Sequence, residues 1–439
     1  MNTIHRRSFL KKSSGTVLSL ATGAAVFGTT KSQATSPNEV IRIGVVGFNG
    51  RGGSHIEAFL ASSGKGTEVA ALVDVDENVL ARGASSVEKN QGSVPAGFTD
   101  IRKMLDDKSI DAVSIATPNH WHSLAAILAV QAGKDVYVEK PLSHNVFEGR
   151  KLVEAAKKYG RVVQHGTQSR SSGGVREAVE QLRAGVIGKV YMAKGHCFKW
   201  RPTIGKVSEP TPVPKGVDYN LWCGPAPMKP IRRQRFHYDW HWQWDYGNGD
   251  IGNQGVHEMD MARWGLGVGL PKAVFSDGGR FGYEDDGETP NTQHAIFDYD
   301  DCVLQFEVRG LPTNDEQTVK VGNIFYGSTG YMILNGGKWQ TFMGANREPG
   351  PSGPTPEARG TDHFGNFIEA VKARNPELLN APVEEGHLSS ALCHLANVSY
   401  RAGRKLHFDP KAEKFIGDKE ADMLLTREYR SPFVVPDKI

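Results

Sequence analysis

Three glycines fall in the run Gly47-Phe48-Asn49-Gly50-Arg51-Gly52, directly behind the β-branched segment Val40 to Val46. Closely spaced glycines let a backbone approach a pyrophosphate. A helix that begins there turns its free N–H groups and its dipole toward the negative charge. Asn49 occupies the middle glycine position of the G-x-G-x-x-G pattern, and Asn is the next most tolerant residue at positive φ. Asp74 follows Gly52 by 22 residues, at the end of a second apolar run from Thr67 to Val73. A carboxylate at that spacing accepts from ribose hydroxyls and repels a 2′-phosphate, which predicts NAD rather than NADP as cofactor.

Two more polar clusters end apolar runs. Thr117-Pro118-Asn119-His120-Trp121-His122 follows Ala112 to Ala116, and Glu139-Lys140-Pro141 follows Asp135 to Val138. In an open parallel sheet, ligands collect at the carboxyl ends of the strands. Thr117, Pro118, Asn119, His122, Glu139 and Lys140 are therefore expected around the cofactor, with Gln168 a little further on. Six of the eight tryptophans lie between 200 and 264, and the densest aromatic run is Phe236 to Tyr246. Aromatic faces stack on the C–H faces of sugars, while Asp, His, Arg and Gln read hydroxyls, a mixture suited to a neutral polyol. Trp200, Trp242, Trp244, Asp245 and Arg170 are the candidate sugar contacts. The alternation is equally compatible with Trp240, Trp242 and Trp244 buried in a sheet or a subunit contact.

The elements that must position these residues follow from periodicity. Strand, glycine turn, helix from Ser54 to Leu60, strand and further β/α alternation predict a doubly wound parallel sheet. After Arg170 the pattern changes to a helix over Gly174 to Ala184 and a strand over Lys189 to Trp200, with Pro/Gly-rich loops at 202 to 216 and 347 to 360. Residues His5 to Lys12 contain Arg6-Arg7, followed by a weakly apolar stretch and the small-x-small site Ser32-Gln33-Ala34. This order predicts a twin-arginine signal peptide over 1–34, export to the periplasm or beyond, and no membrane anchor. The expected domains are a nucleotide-binding one over 35–165 and a substrate-binding one over 166–439. The 52 basic and 49 acidic residues leave a net charge of +3, no footprint for nucleic acid. The four cysteines lack metal-ligand spacing.

Motif order along almost the whole mature chain resembles the Gfo/Idh/MocA oxidoreductases, relatives of glucose-fructose oxidoreductase and inositol dehydrogenase. The matching stretches are G-F-N-G-R-G, T-P-N-H-W-H, E-K-P, I-G-K-V at 187–190, G-N-Q-G-V-H-E-M-D at 252–260, Y-G-S-T-G-Y at 326–331, and the segments H-F-G-N-F-I-E-A-V-K and S-S-A-L-C-H-L-A-N-V-S-Y-R. The resemblance implies a Rossmann domain followed by an α/β domain with an open, mostly antiparallel sheet, and NAD or NADP as cofactor. It places Lys140 beside the nicotinamide and the reacting hydroxyl, and makes His257 the second catalytic group. The usual Asp four residues before that histidine is Asn253 here. Asn orients a ring but does not stabilise imidazolium, so either His257 is expected to be a weaker base or Asp245, Asp250 or Asp260 is expected to assist.

The resemblance thus implies an exported oxidoreductase with tightly held NAD that oxidises a ring hydroxyl of a sugar or glycoside, with C3 as the carbon. Two alternatives stand beside it. One is net glycoside hydrolysis by transient oxidation, elimination and re-reduction, with His257, Tyr246 or another residue of the aromatic run removing the acidified C–H proton. The other is a non-catalytic sugar or nucleotide sensor. A homo-oligomer, dimer or tetramer, is expected.

Overall fold

The computed structural model describes residues 40–62 and 66–439. The expected signal segment, residues 1–34, lies outside them. Among the described residues no helix is long and apolar enough to cross a membrane.

The first sheet consists of β1 (Ile41–Val46), β2 (Thr67–Val73), β3 (Ala96–Phe98), β4 (Ala112–Ile115), β5 (Asp135–Val138) and β6 (Val163–His165). Its order is β3-β2-β1-β4-β5-β6, with every neighbouring pair parallel. The central strands are runs of Val, Ile and Ala buried on both faces, as a parallel sheet covered by helices requires. Strand order reverses between β1 and β4, so their carboxyl ends open a crevice at the switch point.

Helices α1 (Arg51–Ala61), α2 (Glu77–Gln91), α3 (Ile101–Leu105), α4 (Asn119–Gln131) and α5 (Val146–Tyr159) connect these strands. Helix α1 begins at Arg51, three residues earlier than periodicity suggests, so the glycine turn abuts its N-terminus. Gly47 has φ +74°, and a Cβ there would come within 2.8 Å of the Thr117 Cα. At Gly52 a Cβ would come within 2.1 Å of the Gly47 carbonyl oxygen, so both positions exclude any other residue. Helix α4 begins at Asn119, so Asn119 to His122 of the polar cluster form its first turn.

Beyond α6 (Gly173–Arg183), strand β7 (Val190–Cys197) stops short of Trp200. Two short helices, α7 (Tyr219–Cys223) and α8 (Gly249–Asn253), precede α9 (Gly255–Leu266). The second sheet adds β8 (Ala273–Gly279), β9 (Thr292–Asp298), β10 (Val303–Arg309), β11 (Val321–Gly327), β12 (Gly330–Asn335), β13 (Lys338–Met343) and β14 (Glu348–Gly353). After α10 (His363–Ala373) and α11 (Val383–Ala402) come β15 (Leu406–Asp409), β16 (Lys414–Phe415) and α12 (Lys419–Met423). The order is β14-β13-β12-β11-β7-β10-β9-β8-β15-β16, antiparallel except for β7 with β10. Met259 and Ala262 of α9 and Leu392 and Leu395 of α11 pack against Phe297, Phe306 and Phe325 of this sheet. The segment 347–360, expected to be loop throughout, contains the edge strand β14; its Pro349 and Pro351 are tolerated because an edge leaves one row of N–H groups unpaired.

Candidate active site

A cleft of about 350 Å³ opens at the switch point. The turn residues Gly47, Phe48, Asn49, Gly50 and Arg51 border it, as do Asp74 after β2 and Thr117, Pro118, Asn119 and His122 after β4. Glu139 and Lys140 after β5 and Asn253 at the end of α8 also border it. Gly52 acts from behind, through the close approach of α1 to the turn. One cleft thus collects residues from four strand ends and from the second half of the chain.

Asp74 braces the turn. Its Oδ2 accepts from the Phe48 N–H at 3.1 Å and its Oδ1 from the Asp76 N–H at 3.1 Å. Burial raises its pKa, against the pull of those two amides. Asp76 caps α2 by accepting from the Asn78 N–H, and its Oδ2 lies 3.1 Å from Nε2 of His237. This contact, across 161 residues of sequence, joins the aromatic run to the crevice. His237, Tyr238, Trp240 and His241 consequently border the same cleft.

Glu139 is the most heavily coordinated carboxylate of the site. It accepts from Arg51 Nε at 2.9 Å and Gln168 Nε2 at 3.0 Å, with His55 Nε2 at 3.1 Å. Burial alone would raise its pKa. Hydrogen bonding and charge from His55, then Arg51 and Lys140, outweigh burial and hold it well below the usual carboxylate range. Gln168 therefore serves the site through Glu139, and it also donates to the Tyr137 hydroxyl. His122 faces the carbonyl oxygens of Pro141 at 2.6 Å and Thr117 at 2.7 Å, tying the ends of β5 and β4 together.

Lys140 donates to the main-chain carbonyl of Asn253, and its Nζ lies 3.4 Å from the Asn253 side-chain oxygen. Burial lowers its pKa, partly opposed by the Glu139 charge. The expected Asn253–His257 pairing is absent, because the helix breaks at Gln254: Asn253 ends α8 while His257 lies in the first turn of α9. His257 Nδ1 is buried without a hydrogen-bond partner, and burial with the Lys140 charge pushes the ring down to about 4.

Other expected contacts lie elsewhere. Arg170 is buried in an ion-pair network with Asp260 and Glu385. Asp245 pairs with Lys229 and Asp250 with Arg201, whereas Asp260, though paired with Arg170, still opposes the fall of the His257 pKa through its charge. Trp242 is buried under the short turn Asp239–Trp242, and Trp244 lies under the Arg401 guanidinium; neither borders the cleft. Trp200 is exposed and bonded to the Tyr283 hydroxyl. Tyr246 is buried, with its hydroxyl donating to the Pro227 carbonyl and its pKa raised by burial.

His55, Asp76, His237, Tyr238 and His241 belong to the site without having been singled out, and Trp240 of the aromatic run joins them. Their signal was faint: Asp76 stands two residues past Asp74, His55 one helical turn past Arg51, and the other four inside the aromatic run.

The residues present fit a dinucleotide. No Cβ at Gly50 would meet anything within 4 Å, so the backbone is open to a phosphate at the start of α1. Thr117 Oγ1 borders the cleft, buried and without a partner. Fold and site together define an α/β oxidoreductase with a nucleotide-binding half. Residues 41–167 match the oxidoreductase family, NAD-binding Rossmann fold. Residues 172–278 and 352–435 match its C-terminal alpha/beta domain, and 227–331 match a GFO/IDH/MocA C-terminal domain. The chain belongs to the Gfo/Idh/MocA oxidoreductase family.

Among curated proteins, the chain is 32% identical over 176 residues to an alpha-N-acetylgalactosaminidase of Shewanella oneidensis, covering 36% of this chain and 38% of that one. A glycosyl hydrolase family 109 protein of another Shewanella matches with the same identity and coverage. The alignments thus span well under half the length of these relatives. Among solved structures, the WlbA dehydrogenase from Bordetella pertussis in complex with NADH and UDP-GlcNAcA superposes with a TM-score of 0.64 at 22% identity, over 85% of this chain and 99% of that one. A levoglucosan dehydrogenase in complex with NADH and levoglucosan gives 0.63 at 19%, over 84% and 99%. At such identities the likeness establishes the fold.

Proposed function

We propose that the protein uses a retained NAD to oxidise a ring hydroxyl of a sugar or glycoside, with C3 as the carbon. The observation that carries this reading is the single cleft joining the glycine turn and Asp74 to Lys140 and the aromatic run. NAD, when bound, supplies the acceptor for the carbinol's hydride. Helix α1 and the turn receive the pyrophosphate, Asp74 the ribose hydroxyls. Lys140, half-buried and anchored on Asn253, donates to the reacting oxygen, and a histidine receives the hydroxyl proton; the family resemblance gives that part to His257. The cover formed by His237, Tyr238, Trp240 and His241 favours a cofactor that stays bound between turnovers. Export by the twin-arginine route, proposed from Arg6-Arg7, and assembly as a homo-oligomer belong to the same reading.

A second reading is net hydrolysis: oxidation, elimination of the aglycone and re-reduction on the same cofactor. The similarity to an alpha-N-acetylgalactosaminidase supports it. Incubating the NAD-loaded protein with free sugars and matched glycosides separates the two. Lasting reduction of bound nicotinamide with a keto-sugar product supports oxidation, and free sugar released without lasting reduction supports hydrolysis. Neither signal across the panel would contradict both.

A further inference from the structure

His241 borders the cleft with one ring nitrogen held by the protein and the other unpartnered among the described residues. Its Nδ1 lies 2.6 Å from the Tyr238 carbonyl oxygen. A carbonyl only accepts, so Nδ1 carries the hydrogen and the lone pair of the neutral ring resides on Nε2. The Trp240 ring stacks on the imidazole with centroids 3.7 Å apart at 20°. Gly247 packs on the same backbone, where a Cβ would come within 2.4 Å of the His241 carbonyl oxygen. The tautomer and the plane of the ring are thus both set, and among the described residues no partner occupies Nε2.

A carbinol hydroxyl both donates and accepts, so its recognition needs one donor and one acceptor. Lys140 is the donor, since an ammonium has no lone pair and two of its directions already face Asn253. His257 is a poorer acceptor: it does not border the cleft, and among the described residues its buried Nδ1 has no hydrogen-bond partner to set the tautomer.

Building on the proposed oxidation, we propose that His241, and not His257, receives the hydroxyl proton through Nε2. The O–H bond breaks and an N–H bond forms, giving imidazolium. The pair left on oxygen closes the carbonyl as the carbinol hydrogen leaves with its electron pair for the oxidised nicotinamide. Burial pushes the free ring down to about 3, with the Tyr238 carbonyl opposing and the Lys140 charge adding to the effect. The ring is therefore neutral, with its lone pair available, throughout the neutral range. The charged or titratable groups acting on it from other segments are Lys140, Arg201 and His122.

The test compares NAD-loaded wild type with His241→Ala, His241→Gln and His257→Ala. NADH fluorescence titration reports on fold and cofactor binding, and single-turnover reduction of bound nicotinamide is followed across pH with and without free imidazole. The nitrogen resonances of His241 in the NADH-loaded wild type are followed as the reactive polyol is added. We expect both His241 variants to bind NADH as wild type does and to react about 10²–10⁴-fold more slowly. His241→Ala should lose the acidic limb and recover part of its rate with imidazole, His257→Ala should keep the limb, and polyol should shift the Nε2 resonance. A wild-type limb and rate in His241→Ala, loss of NADH binding in both His241 variants, or an unmoved Nε2 resonance would each overturn the assignment. Wild type that no sugar reduces would instead remove the oxidation reading, and this assignment with it.

Discussion

The ammonium of Lys140 is anchored on Asn253, through the main-chain carbonyl and within 3.4 Å of the side-chain oxygen, so Asn253 addresses the lysine and not His257. Asn253→Asp would place a carboxylate beside the ammonium and raise the pKa that burial lowers. A lysine that must be protonated to donate then stays competent to higher pH. The alkaline limb of the pH–rate profile should move upward in the variant while the acidic limb stays in place. Movement of the acidic limb alone would return Asn253 to His257.

Lys140→Ala should lower turnover by about 10²–10⁴-fold while leaving NAD bound, because the proposed reaction gives the lysine the reacting oxygen and not the pyrophosphate. Rates and dinucleotide content measured on the same preparation check this. A variant that loses NAD but turns over normally per loaded molecule would contradict it.

Glu139→Gln should destabilise the protein at neutral pH by about 2 kcal/mol, because it removes the charge from a buried carboxylate that accepts from Arg51 and Gln168 and meets His55. The sign of the pH dependence follows from a folded pKa held well below the ordinary value. The carboxylate's contribution is complete above the unfolded value of about 4.3 and is lost as pH falls toward the folded one. Urea melts should therefore show wild type and variant converging only below about pH 4. A constant gap across the range would remove the ionised carboxylate from the account.

His237→Ala cuts the contact with Asp76 that joins the aromatic run to the crevice. Dinucleotide release should accelerate by about tenfold, the effect of roughly 1.4 kcal/mol, with the melting temperature little changed. Displacement of bound NADH followed by its fluorescence measures this. Unchanged release would mean that the run does not hold the cofactor.

What the sequence disclosed depended on how local the determinant was. The turn, Asp74 and Lys140 were legible because a tight glycine turn and the ends of buried strands are written in consecutive residues. The fold class followed from the same alternation. The role of Arg170 was not legible, since Asp260 and Glu385 lie 90 and 215 residues away. Asn253 and His257 have the spacing of one helix face, but the break at Gln254 removes that face. The aromatic run alternates like a strand, yet it folds as a short turn that buries Trp242 and brings Trp240 and His241 to the cleft.

The central claim is that this cleft holds NAD and delivers a sugar hydroxyl to it beside Lys140. The most direct measurement is native mass spectrometry of the protein, followed by the absorbance of its bound nicotinamide as sugars and glycosides are added. One dinucleotide per chain is expected, NAD and not NADP, reduced by at least one polyol in wild type and by none in Lys140→Ala. A chain with no affinity for NAD, or bound NAD reduced equally well without Lys140, would contradict it.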